Sequence, residues 1–165
     1  MASSRFPGKP MVMINGMPMI GHVCKRSCMC TSLSNVWVAT CDREIVDYVE
    51  SIGGRAVMTA DTHQRASDRA AEALLKIEEL TGKTIDYVAM VQGDEPMLDP
   101  KMIDELVSPV LNDPKLQVTN LITRIDSSSS RSILSRVTIF SPFLARRTMI
   151  LPPSSLSKSK TCKGW

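Results

Sequence analysis

Two hydrophobic periods alternate along most of the chain, and each change of period marks an element. Met11-Val-Met-Ile14 is an apolar run of strand length closed by the turn pair Asn15-Gly16. Pro18 suits the first turn of a helix reaching about Cys30, with Ile20, Val23 and Ser27 on one side. Asn35–Thr40 is a β-branched strand. Asp42 then offers an N-cap for a helix with Ile45, Val46, Val49 and Ile52 on one face, ended by Gly53-Gly54. Ala56–Met58 is a short strand, and a polar loop, Thr59–Ala66, leads to Ser67, the expected N-cap of a helix bearing Ala70, Ala71, Leu74, Leu75 and Ile77 and stopped by Gly82. Tyr87–Gln92 is the central, buried strand. Asp99-Pro100 begins a helix carrying Ile103, Leu106 and Val107, and Gln117–Thr123 is the last strand.

Strands alternating with helices of this length predict an α/β fold, with a parallel sheet covered by helices. No apolar run approaches the ~18 residues that cross a bilayer. The first residues do not pair a charged region with an apolar one, so no secretory leader is expected and the default compartment is the cytoplasm. In that setting the five cysteines are expected as free thiols.

Charge divides the chain. Residues 1 to 126 hold all 17 acidic residues and 13 of the 20 basic ones, whereas the remaining 39 hold seven basic residues and no acid. This second part, 127–165, contains eleven serines, a run from Ser127 to Ser130 among them, with Pro142, Pro152 and Pro153 interspersed. It is read as an irregular or disordered tail in which Val137-Thr-Ile-Phe140 is the piece able to form a strand. Dispersed charges with Phe140, Phe143 and Trp165 for stacking make a weak footprint for nucleic acid, and neither nucleic acid nor a membrane is expected as a partner.

The central strand ends in Val91-Gln-Gly-Asp-Glu-Pro96, which delivers Asp94 to the carboxyl edge of the sheet, where open α/β folds collect ligands. Asp94 is therefore either a ligand for a metal beside a phosphate-bearing substrate or a solvated acid at an ordinary turn. Residues 1 to 10 form a loop with Arg5 and Lys9, which is either a solvated basic segment or a phosphate site. Lysine supplies a mobile point charge and arginine a bidentate fork for phosphate oxygens. Cations and a carboxylate together would suffice for transfer at phosphorus, where positioning and charge neutralisation dominate.

The segments Ser3–Pro10, Asn15–Ile20, Val38–Thr40, Asp68–Ala73 and Val91–Pro96 resemble, in order and spacing, the 3-deoxy-manno-octulosonate cytidylyltransferases, or CMP-Kdo synthetases, over residues 2 to 124. The resemblance implies a Rossmann-like nucleotidyltransferase sheet and magnesium-dependent transfer of CMP from CTP to an acidic eight-carbon sugar, toward lipopolysaccharide. It implies that Arg5 and Lys9 hold the triphosphate and that Asp94 binds Mg2+. It further implies that Ser67 and Arg69 lie against the nucleotide, that Gln92 faces the sugar, and that the sugar's own hydroxyl is the nucleophile.

Three departures from the family pattern alter the expectation. Met1 falls inside the Arg/Lys loop, where the family has a preceding central strand; its loss would leave neighbours two spacings of about 4.8 Å apart, around an apolar slot. Arg65-Ala66 stands where the family has Ser-Gly. After Arg124 the region expected to bind sugar, form the homodimer and supply a second metal aspartate is replaced by a tail with no acid beyond Asp126. An internal start and a shifted reading frame would account for both ends.

Other readings stay open at this point. His22, Cys24, Cys28, Cys30 and Cys41 cluster early, but without paired Cys-x-x-Cys knuckles they point to thiols rather than zinc. The chain could also be a non-catalytic CTP binder, an inactive fragment, or another sugar nucleotidyltransferase such as an acylneuraminate cytidylyltransferase.

Overall fold

The computed structural model describes residues 8–113, 115–120 and 138–140. A 3₁₀ turn, Lys9–Met11, opens them. A small antiparallel hairpin follows, β1 (Met13–Ile14) and β2 (Met17–Pro18), and the Asn15-Gly16 pair forms its turn. Helix α1 (Met19–Cys28) leads to β3 (Val38–Thr40), α2 (Arg43–Ser51), β4 (Ala56–Met58) and α3 (Ala66–Thr81). The chain continues through β5 (Val88–Met90), α4 (Pro100–Asn112), β6 (Val118–Asn120) and β7 (Thr138–Phe140).

Alternation along the strands decides which helix covers which face. On β3 and β4, Val38 and Ala56 pack with Ile20 and Cys24 of α1 and Ile45 and Val49 of α2. Their neighbours Ala39 and Val57 pack on the opposite face with Ala73 and Ile77 of α3. The same helix turns Ala70, Ala71 and Leu74 toward Val88 and Met90 of β5. Tyr87, Ala89 and Val91 point the other way, into a cluster with Ile103, Leu106 and Val110 of α4. Helices therefore cover both faces of the strands, with α3 spanning β3, β4 and β5.

The strand pairing differs from the one parallel sheet expected. Among the described residues only β3 and β4 pair in parallel, with Val38 opposite Ala56. β5 pairs antiparallel with β7, and β7 with β6, so that Thr138–Phe140 lies between the two. Ile139 at the middle of β7 is 1% exposed in the α4 cluster, which explains why this piece of a serine-rich segment joins a sheet. A cavity of about 890 Å³ lies between β3 and β5, lined by Val38, Ala39, Val88, Ala89 and Met90 and by Leu74 and Ile77 of α3. Its lining is largely apolar, and β5 is half-buried rather than buried.

Local signals behave unevenly. Asp99 caps α4 through its carboxylate, which accepts from the Lys101 amide at 3.1 Å, with Pro100 in the first turn. Asp42 occupies the N-cap of α2. The cap of α3 is Arg65, not Ser67, which falls inside the first turn. Leu75 is 42% exposed; Ala73 takes the inward position instead, because residues 70, 73, 74 and 77 share the helical stripe. Cys24, Cys28 and Cys30 are free thiols, as expected, whereas Cys41 is disulfide-bonded. The remaining residues of the 127–165 tail, and residues 121–123 of the last expected strand, lie outside the described residues.

Candidate functional site

Gly8 adopts φ 72°, a left-handed conformation that glycine tolerates, and so turns the chain into the Lys9–Met11 turn. Pro10 is buried, which anchors that turn beside a half-exposed Lys9. The Lys9 ammonium reaches the Asp94 carboxylate at 2.8 Å, across 85 positions of sequence. The two side chains are 34% and 26% exposed, so both remain open to a ligand.

Asp94 is delivered by the loop after β5, and the next residues hold that loop down. Leu98 is 3% exposed within the α4 cluster, and its amide closes a turn on the Glu95 carbonyl at 3.1 Å. Its own carbonyl accepts from the Arg26 guanidinium of α1 at 3.0 Å. Gly93 is buried and Gln92 half-buried, two residues before Asp94. Arg5 lies outside the described residues.

A second group sits at the carboxyl ends of β3 and β4. The Thr59 amide bonds the Thr40 carbonyl at 2.8 Å, joining the two strand ends. Arg69 is 5% exposed; its guanidinium donates to the Thr59 hydroxyl and to the Ala60 carbonyl at 3.3 Å. Burial lowers its pKa from the usual arginine range. Ser67 is exposed, with its hydroxyl 3.4 Å from the Asp68 carboxylate. Glu72, one turn beyond Arg69, accepts from the Ala60 amide at 2.9 Å, from Lys76 at 2.8 Å and from His63.

Lys9 and Asp94 are thus brought into contact, Gln92 precedes Asp94 by two residues in the same loop, and Ser67 and Arg69 lie in the first turn of α3. Sequence reasoning assigned no role to Glu72 or His63. The available signal was the three-residue spacing of Arg69 and Glu72, which puts them on one face of a helix.

A family model described as Cytidylyltransferase matches residues 1–138. The chain belongs to the cytidylyltransferase family. Within it, this chain is 44% identical over 126 residues to the 3-deoxy-manno-octulosonate cytidylyltransferase of Geotalea daltonii, covering 76% of the chain and 47% of the relative. To the Escherichia coli protein of that name it is 38% identical over 128 residues, covering 78% and 50%. The chain therefore spans about half the length of the curated relatives it matches. Among solved structures, a CMP:2-keto-3-deoxy-manno-octonic acid synthetase complexed with CTP superposes with a TM-score of 0.77 and 28% identity, covering 93% of this chain and 75% of that one. A 4-diphosphocytidyl-2C-methyl-D-erythritol synthase, at TM-score 0.63 and 13% identity, shares the fold. This cytidylyltransferase-family chain thus has the Rossmann-like nucleotidyltransferase fold, although its described strands form small separate sheets.

Proposed function

We propose that this chain transfers the cytidylyl group of CTP to 3-deoxy-manno-octulosonate, releasing pyrophosphate. The observation that carries the reading is the 2.8 Å contact of Lys9 with Asp94, in a chain whose relatives bear that activity in their names. It joins a phosphate-binding cation to a carboxylate of the hard-oxygen type that magnesium prefers.

Lys9 would take the triphosphate and, with Arg5, the charge that grows on the departing pyrophosphate. An ion pair this exposed is worth on the order of 1 kcal/mol, so incoming phosphate readily displaces Asp94 from Lys9. Asp94, so freed, would be the carboxylate that holds Mg2+ beside the phosphates. When bound, the ion would neutralise phosphate charge. Ser67 would meet the nucleotide and Gln92 the sugar, with Arg69 backing the nucleotide wall from inside. The sugar hydroxyl oxygen forms a bond to the α-phosphorus while the bond to the β-phosphate oxygen breaks. Pyrophosphate leaves with the electron pair, and the hydroxyl proton passes to solvent.

The product would serve lipopolysaccharide assembly in the cytoplasm; among the described residues no helix is long and apolar enough to cross a membrane. Calorimetry with the full chain tests the nucleotide half of the reading. CTP with Mg2+ should bind, and Lys9→Ala should weaken it about tenfold or more, since charged hydrogen bonds to phosphate are worth ~1.5–3 kcal/mol. Unchanged affinity in the variant would remove Lys9 from the site.

A further inference from the structure

The loop between β4 and α3 is held at one residue from two directions. Arg69 donates to the Ala60 carbonyl at 3.3 Å, and Glu72 accepts from the Ala60 amide at 2.9 Å. One turn of α3 thus grips both polar groups of a single peptide residue, an arrangement set by the three-residue spacing. Around this grip the contacts are redundant. Arg69 also donates to the buried Thr59, which is bonded to Thr40 at the end of β3. Glu72 also binds His63 further along the loop and Lys76, whose ammonium in turn donates to the Met58 carbonyl at 2.8 Å. Every residue gripped lies between the last residue of β4 and the start of α3, so the network fixes the path of the stretch Asp61–Arg65, which is exposed apart from a half-buried His63.

Burying an arginine to 5% exposure is expensive unless its donors are satisfied, and an exposed connecting loop needs no such anchor for stability alone. The stretch it fixes follows the carboxyl end of β4, as Asp94 follows the carboxyl end of β5, and open α/β folds gather ligands at such strand ends. We propose that Arg69 and Glu72 are positioning residues, which hold the β4–α3 loop in the shape that receives the nucleotide and act through Ala60 and His63 rather than by touching CTP. This role rests on the cytidylyl-transfer reading of the site and assigns Glu72 a function within it.

The test uses the full chain with Mg2+ and CTP, comparing Glu72→Ala, Glu72→Gln and Arg69→Lys with the wild type by calorimetry, amide hydrogen exchange and thermal melting. Glu72→Ala should lose protection at the Ala60 amide and bind CTP about tenfold more weakly while still melting cooperatively. Glu72→Gln, whose amide oxygen can still accept from Ala60, should recover most of both. If Glu72→Ala fails to fold, the comparison of Arg69→Lys with the wild type decides on the same two readouts. Folded variants that bind CTP within about twofold of wild type, or that keep the Ala60 amide protected, would overturn the proposal while leaving the transfer reading intact. A wild-type chain that binds no CTP would overturn both.

Discussion

Glu72 converts its contacts into an acid sensitivity. Burial pushes its carboxyl pKa up, but hydrogen bonds from Lys76, the Ala60 amide and His63 outweigh this and hold the value at about 2, against an ordinary 4.5. A carboxylate depressed on folding stabilises fully above its unfolded value and loses that contribution as pH falls toward its folded one. Wild-type stability should therefore decline from about pH 4.5 toward pH 2 more steeply than that of Glu72→Gln. Denaturant unfolding across that window checks it: parallel curves would mean that the carboxylate is not held as described. This role was not legible in the sequence, because it depends on where the β4–α3 loop folds back onto the helix. Lys9 and Asp94 were legible as candidates, the first from a loop rich in cations and the second from the abrupt end of an apolar run. Their contact was not, since 85 positions separate them.

Elements were read well where local chemistry decides and less well where tertiary contacts do. Asp99-Pro100 starts α4 because the cap and the proline act within one turn. The start of α3 moved from Ser67 to Arg65, where no side-chain cap bond exists and Arg69 and Glu72 bind the incoming loop instead. The exit of α2 depends on close approach. A Cβ added at Gly54 would stand 2.7 Å from Val49 Cγ1 and 3.0 Å from the Val49 carbonyl oxygen, and Val49 is fully buried. Gly54→Ala should accordingly cost about 1–3 kcal/mol, the usual penalty of overpacking. Denaturant titration measures this directly, and a loss below about 0.5 kcal/mol would show that the α2–β4 junction yields.

On the scale of the whole molecule, the alternation of strands and helices correctly predicted an α/β fold with helices on both faces. The periods specify which residues are inward but not which edges meet. Val137–Phe140 was legible as the piece of the serine-rich, acid-free segment able to form a strand, but nothing there places it between β5 and β6. What decides that pairing is the burial of Ile139 against α4, a contact at long range. The functional claim also belongs to this scale, because it requires the Lys9 turn, the β5 loop and the α3 wall to act together. The most direct test is pyrophosphate release by the full chain with CTP, Mg2+ and 3-deoxy-manno-octulosonate, comparing wild type with Asp94→Asn. The account predicts release that depends on the sugar and falls about a hundredfold or more in the variant, the scale of losing one electrostatic contact to a transition state. Equal rates in the two proteins, or no sugar-dependent release by the wild type, would contradict it.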